Sequence, residues 1–540
     1  MNRFLVVSLL LFAGTLAAAP KEAQNKTRSD AASPKDSPGD AAIHRKSATG
    51  FFGEPILRLN IEISDKDLQE LRDDPRHYIE GEVRDGTKTY KGVAIKLKGA
   101  SGSFKPIDEK PCFTLNFDKF KGAERFHGLK KCHLNNANED PSFLHQLLCG
   151  EMTRAAGVPA LRCTHALVEL NGKDLGLYVF TEGYSKDFFA QFFSDPGGDV
   201  YESGFIKDLD QDLHKDAGPP KDFRAIEELI AASRIEDKTE RWTRLRAILD
   251  VDRFASFLAI EALLGIQDGY DFGHNNYRIY HDPVTKLLSF IPHGMDEPLG
   301  DPGFPIQKHP ESIVGSAFVG CPEGHRLYRE RVIAIYEKVF AARDWPARVT
   351  EASKKVCAAV AKVDAGFARE LADRHVGVRN TVRDRIKNIA QQIDELGTPF
   401  EFDKSGIARL DRGWRTEGDN GDHDEVKLDG KACFHLRADG ETNASWRKQL
   451  SLEAGRYRFE ARVRAQGVEA TRGDSGEGVG VRISGASRID KNAIAGNAPW
   501  GSVAYEFETD GGDVVLVAEL RATKGEAWFE KGSMRLVMVK

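Results

Sequence analysis

Apolar and polar positions alternate strictly from Ile56 to Ile63, where ILRLNIEI sets Leu57, Leu59, Ile61 and Ile63 on one face of a predicted strand. Ser64 with Asp65 caps a helix expected through Leu71, and Asp85-Gly86 marks a hairpin turn. The next strand, within Gly92–Phe104, runs into a loop of glycine and serine; Lys96 and Lys98 lie two apart and share a face. FTLNFDKF, preceded by Lys110, and LKKCHLNN (Leu129–Asn136) supply two more strands. Asp140 is a good N-cap and Pro141 suits a first turn. They predict a helix that buries Phe143, Leu147, Met152 and Ala155, points Glu151 elsewhere and stops at Gly157. THALVEL and LGLYVFTE close around Asn171-Gly172, a type I′ hairpin signal, with Glu182 at the end. The expectation here is a small, mostly antiparallel sheet with one helix after the third or fourth strand.

Beyond Phe188 the period becomes helical. One helix covers Ala225–Ile235; the next is capped by Asp250, carries the stripe Phe254, Phe257, Leu258 and Leu264, and stops at Gly265. A polar loop follows, then a short alternating segment (Tyr277–Tyr280), a turn at Asp282-Pro283 and an apolar strand, Leu287–Ile291. Gly300–Gly324 is rich in proline and glycine and reads as an ordered excursion or a flap. Arg326–Phe340 and Pro346–Ala372 are amphipathic, and a last helix carries Val382, Ile386, Ile389, Ile393 and Leu396. Gly397-Thr398-Pro399 breaks the pattern. GRYRFEARVRA then alternates with Tyr457, Phe459, Ala461 and Val463 inward, and later segments repeat the theme, predicting a sandwich of two antiparallel sheets over 401–540. Trp446, Trp500 and Trp528 are sugar-stacking candidates, with core packing the expected use of at least two.

At 540 residues the chain exceeds one ordinary core, and a net charge of -6 leaves no large basic field, which excludes duplex nucleic acid as a partner class. Asn2-Arg3, the apolar run Phe4–Phe12 and Ala17-Ala18-Ala19 read as a signal peptide cleaved near Ala19, too short to span a bilayer. Export from the cytoplasm follows, to a periplasmic, cell-surface or extracellular location. Residues 20–50 read as a flexible tether. Seven cysteines suggest buried thiols with one or two bridges among them.

The chemistry concentrates between Ile266 and Gly300. Two neighbouring loops present Asp268, Asp271, Asn275, Asn276 and Asp296, an oxygen-rich, sulfur-free set that suits magnesium or manganese. An extended backbone at Asn275-Asn276 would turn the two amides to opposite sides, so only one is expected to reach a metal. Asp271 is expected to cap the loop. His274, His281 and His293 fit no standard zinc spacing.

QDGY, NNYRIYHDP and FIPHGMD, with HLNNANEDPSFL and NGKDLGLYVFTE upstream, resemble the CotH (spore coat protein H) kinase family, whose pattern runs W-D-x-Y, N-N-Y-R-x-Y-x-D-P and F-I-P-x-x-x-D. The resemblance covers roughly Phe51–Leu396. It implies an α+β chain: a two-lobed atypical protein-kinase-like domain over 51–396, with an N-lobe of about 51–185 and a C-lobe of about 186–396, then the β-sandwich. It further implies transfer of the ATP γ-phosphoryl group to Ser/Thr of extracytoplasmic proteins. In that reading Asp268 is the base, Asp296 with Asn275 or Asn276 holds Mg²⁺ or Mn²⁺, and Lys98 or Lys110 meets the phosphates. Lys98-Gly99 matches the family's K-G-x-S, Glu151 would pair with a strand lysine, and Glu182 would be a hinge or adenine-side residue. Many relatives carry W-D-x-D where this chain has His293-Gly294-Met295-Asp296. The missing first acid favours an alternative, a non-catalytic envelope or cell-surface binding protein on the same scaffold; a metal-dependent phosphodiesterase is a third reading. The C-terminal segment resembles jelly-roll carbohydrate-binding modules, which implies a glycan partner.

Overall fold

The computed structural model describes residues 50–539 apart from 53–55, 101, 121–123, 203, 212, 219–221, 296–297, 308–309, 397–401, 411–412, 453, 472–475, 489–491 and 510. The signal-peptide and tether readings, and Asp296, lie outside the described residues.

The first part is a closed barrel rather than an open sheet. Strands β1 (Leu57–Glu62), β2 (Ile79–Asp85), β3 (Lys88–Lys98), β4 (Cys112–Asn116), β5 (Lys131–Asn135), β6 (Cys163–Leu170) and β7 (Lys173–Glu182) pair in the order β1-β2-β3-β4-β5-β7-β6. One parallel pair, β1 with β6, closes it. Alternation explains the interior: Leu59, Ile61, Val83, Ile95, Leu115, Val168 and Phe180 fill the barrel, which leaves no edge to protect. The Asn171-Gly172 turn has the left-handed backbone its type requires, φ +47° and +80°. The Asn171 carboxamide also bonds both backbone groups of Ile63, stitching β1 to the hairpin.

The helix after β5 is His145–Ala155, so it follows the fifth strand and starts later than Asp140 implies. Phe143 turns left-handed (φ +62°), and the Asp140 carboxylate instead receives the Ser142 amide, the Ser142 hydroxyl and the His145 amide. Phe143, Leu147 and Met152 are buried as expected; Ala155 is exposed.

Strands β8 (Asp199–Glu202), β9 (His214–Ala217), β10 (Tyr277–His281) and β11 (Leu288–Pro292) form a second sheet, ordered β11-β10-β8-β9. Against it packs the helix Val251–Leu264, capped by Asp250 and ended by Gly265 at φ +65°. It is buried all round from Phe257 to Leu264, not on a stripe alone, because the surrounding helices and β11 enclose it. Gly300–Gly324 carries the ordered helix Ile313–Val319. The expected 346–372 helix is two: Trp345–Val360 ends, Asp364 caps anew at the Phe367 amide, and Ala365–Leu396 runs on.

In the C-terminal part the eight strands of the expected sandwich are all linked by pairing into one continuous antiparallel sheet. These are β12 (Ile407–Arg409), β13 (Arg415–Leu428), β14 (Lys431–Leu452), β15 (Gly455–Ala470), β16 (Gly478–Ile483), β17 (Gly496–Thr509), β18 (Gly512–Glu530) and β19 (Arg535–Val539). Its strands are long and pass register shifts at Asp439/Thr442 and Gln466/Glu469, which let the sheet fold over one core. Tyr457, Phe459, Ala461 and Val463 point into that core. Trp446 and Trp528 are buried and Trp500 is half-buried.

All seven cysteines are free thiols, so the expected bridges are not formed; six are buried in the packed interior. No helix among the described residues is long and apolar enough to cross a membrane.

Candidate functional site

A cavity of about 690 Å³ opens between the barrel and the helical part. The barrel contributes Lys98, Gly99, His133, Asn135 and Asn136; the helical part contributes Glu202, Phe205, Asp268, Asn275, Asn276, Arg278, His293 and Gly294.

The helical wall is built from its helix upward. Gly265 stops the helix, and the buried Glu261 carboxylate, one turn back, receives the Tyr270 and Asp271 amides at 3.1 and 3.2 Å. Burial, with Asp271 nearby, pushes the Glu261 carboxyl well up. Asp271 accepts the Ser312 hydroxyl at 2.9 Å and is buried; its job is structural, as the sequence suggested. Asp268 is then left facing the cavity. Its carboxylate receives Asn275 Nδ2 at 3.1 and 3.0 Å and Asn276 Nδ2 at 2.7 Å.

Both asparagines therefore reach Asp268, which corrects the expectation that they diverge. The backbone is not extended there: His274 and Asn276 are left-handed, φ +50° and +52°, and two such residues fold the pair onto one side. The Asn276 carbonyl accepts the His293 amide at 2.9 Å, joining this loop to the one after β11. Gly294 has φ +64°, and a Cβ there would lie 2.5 Å from Asn276 Oδ1. The Asn276 amide occupies the room a side chain at 294 would need.

The barrel wall is cationic. Lys98 Nζ donates to Asn135 Oδ1 at 2.7 Å, and Asn135 in turn donates to Gln146 at 2.8 Å. Asn136 Nδ2 holds the carbonyls of Ser103 and Lys110, and Asn138 Nδ2 that of Gly102, so the loop after Lys98 is pinned from below. Gly99 and Gly102 sit at φ +111° and +89°, which only glycine adopts without strain. Arg278 reaches in from β10, paired with its cross-strand neighbour Glu202 at 2.5 Å and lying over the Tyr184 ring at 4.4 Å. Burial holds the His133 imidazole well below its ordinary range, reinforced by Lys98, Lys131 and Arg278. His133 thus stands half-buried among cations.

Other expected site residues go elsewhere. Lys110 does not line the cavity: its ammonium lies 5.0 and 5.1 Å from the ring centroids of Phe143 and Tyr178, and burial lowers its pKa to about 8. Glu151 does not pair with a lysine; it makes a two-pronged pair with Arg348 at 3.0 and 2.6 Å, across to the helix Trp345–Val360. Glu182 is buried and receives the Arg162 amide and guanidinium at 2.8, 2.9 and 2.6 Å, a staple between strand ends rather than a hinge. His274 faces Asp208 (3.8 Å), His281 the Lys286 carbonyl (3.3 Å) and His293 the cavity, so the three histidines do not converge. Arg278, Glu202 and His133 were not picked out from sequence. Alternation in NNYRIYH could have found the first: Tyr277 and Ile279 are buried inward, which turns Arg278 to the other face.

The donor set here is one carboxylate and two carboxamides beside cations, chemistry that fits a phosphate-bearing ligand with a hard cation that keeps several waters. To serve as metal ligands, the amides must present Oδ1 where Nδ2 now points, a half-turn of the terminal torsion.

Residues 95–313 match the family model described as CotH kinase protein, so the resemblance drawn from the motifs holds over β4 to β11, the cavity and the central loops. Inner spore coat protein H of Bacillus subtilis is 24% identical over 195 residues, 34% of this chain and 53% of that protein; the chain spans about half the length of this relative. Solved structures with local likeness include TmCBM61 in complex with β-1,4-galactotriose (14% identity, 27% of this chain, 98% of that one, TM-score 0.18). A family 35 carbohydrate binding module from Clostridium thermocellum gives 14% identity, 24% and 93% coverage and a TM-score of 0.18.

Proposed function

We propose that the chain is an exported CotH-type phosphotransferase that moves the γ-phosphoryl group of ATP to serine or threonine hydroxyls of a protein acceptor. The observation that carries this reading is the convergence of Asp268, both asparagines, Lys98, Arg278 and a pinned glycine loop on one cavity, inside the CotH-matching residues. Lys98 and Arg278 neutralise phosphate oxygens, and Arg278 offers its planar fork on leaving Glu202. Asp268 orients the acceptor hydroxyl and takes its proton as the new O–P bond forms and the bond to the β-phosphate oxygen breaks, releasing ADP. Asn275 and Asn276 hold that carboxylate in place until substrate arrives. Magnesium or manganese, held by Asp296 with an oxygen of Asn275 or Asn276, would supply charge neutralisation on the phosphates.

The test is incubation with labelled ATP and Mg²⁺ or Mn²⁺, beside Asp268→Ala and Asp296→Ala. Label incorporated by the parent and lost in both variants supports the reading; equal label in all three defeats it. One feature favours a second reading, nucleotide binding without turnover: Gly294, left-handed and packed on Asn276, supplies no acid where many relatives have one. In that case ATP binds and no label transfers. For the C-terminal sheet we propose glycan binding, with half-buried Trp500, bonded to Asp429 at 3.0 Å, as its stacking surface. Silence of the full chain and of Trp500→Ala alike across a polysaccharide screen would remove that role.

A further inference from the structure

At the outer rim of the cavity the turn between β8 and β9 leaves two adjacent large apolar side chains in water, Phe205 at 58% and Ile206 at 54% exposure. Phe205 is also part of the cavity lining. Ile206 adopts φ +53°, a left-handed conformation that strains a β-branched residue. A strained backbone that turns apolar surface outward has no stabilising use in the folded chain alone.

The turn is nonetheless held firmly on both sides. The Lys207 carbonyl accepts the Tyr277 hydroxyl at 3.0 Å. The buried Asp208 carboxylate receives the Tyr270 hydroxyl at 3.2 Å, the Ile313 amide at 2.8 Å and its neighbour's amide, Leu209, at 2.7 Å. Tyr270 lies two residues after Asp268 and Tyr277 begins β10 just beyond the same loop, so these bonds tie the lip to the segment that carries Asp268. Neighbouring charges are committed: Glu202 to Arg278, Asp210 to Arg234 at 2.8 Å. What the lip offers a ligand is therefore apolar surface in a fixed position, at little ordering cost.

We propose that Phe205 and Ile206 seat an apolar side chain of the acceptor polypeptide beside the serine or threonine presented to Asp268. This rests on the phosphotransferase reading above. A nucleobase is the less suitable occupant, because ring exposure this high places the lip on the solvent side of the cavity, away from Lys98 and the glycine loop on the barrel wall.

The experiment measures labelled phosphoryl transfer from ATP with Mn²⁺ to serine- and threonine-containing peptides, one flanking position varied at a time. The parent protein is expected to prefer an apolar residue at one position and to be indifferent to charge there. Phe205→Ser should raise the peptide KM about tenfold with kcat within twofold, a split that a merely structural role would not give. Ile206→Gly removes the side chain and the left-handed strain together. It should raise the same KM without lowering the melting temperature, which separates lost docking from misfolding. Labelled peptides with an unchanged KM in both variants, or a rise in the KM for ATP instead, would overturn the lip while leaving the phosphotransferase intact. No label on any peptide from the parent would overturn both.

Discussion

Two carboxylates in this chain, Glu519 and Asp268, each gather several hydrogen-bond donors and differ in what surrounds them. In the sandwich, Glu519 is fully buried and receives Arg482 at 2.9 and 2.9 Å and Arg488 at 2.9 Å, with Arg521 at 3.3 Å. Arg488 spends its remaining donors on the carbonyls of Asn492 and Gly478. That network is closed: it joins β16 and β18 and lines no described cavity. Around Asp268 the carboxylate also receives several donors, yet they are uncharged amides and the group faces open space, with Arg278 on its own wall and Lys98 on the barrel side. Buried charge thus marks chemistry only where a ligand can reach it; a closed, fully paired carboxylate marks architecture.

The comparison breaks first at the largest effect. Asp268→Ala should lower phosphoryl transfer by about a thousandfold with a melting temperature close to the parent's, read by label transfer and calorimetry. The corresponding Glu519→Ala should do the reverse. It strands two buried guanidiniums and should cost about 3–5 kcal/mol of sandwich stability in urea unfolding, with ATP affinity unchanged. If Glu519→Ala weakens ATP binding, the closed cluster is not merely architectural.

Acid should separate the two regions by pH. Burial holds His165 at about 4 and His133 well below its ordinary value, so the unfolded barrel binds protons that the folded one does not. Their stabilisation is full above about pH 6.5 and is lost as pH falls toward 4, roughly 3 kcal/mol for His165 alone. Glu519 is held below its usual value by its arginines, against the opposing pull of burial, so its contribution persists above about pH 4.5 and fails only below it. A pH series of thermal melts should show the barrel weakening first, and His165→Gln should flatten that limb. The smallest effect belongs to Glu151→Gln. Losing the Arg348 pair should cost about 1–2 kcal/mol and leave nucleotide affinity alone.

The strands of the barrel and sandwich were legible because alternation is local: β1, the Asn171-Gly172 hairpin and β15 follow from period and turn chemistry. Closure into a barrel was not, since it depends on the β1–β6 pairing across more than a hundred residues. The late helix start at His145 escaped because Phe143 takes a left-handed conformation that its sequence does not announce. At the site, Asp268, Lys98, Asn275 and Asn276, each singled out by motif, line one cavity. Lys110, Glu151 and Glu182 were assigned by position along their elements, and their tertiary partners, two aromatic rings and two arginines, claimed them instead. Arg278 and Glu202 acquire meaning only when β8 and β10 lie side by side.

In the proposed reaction the nucleotide binds between Lys98 and the Asp268 loop. Titration calorimetry of Mn²⁺ with a non-hydrolysable ATP analogue, on the parent, Lys98→Ala and Lys110→Ala, tests it most directly. At least a tenfold loss of affinity is expected for Lys98→Ala and none for Lys110→Ala. Equal affinities in all three, or a loss confined to Lys110→Ala, would contradict it.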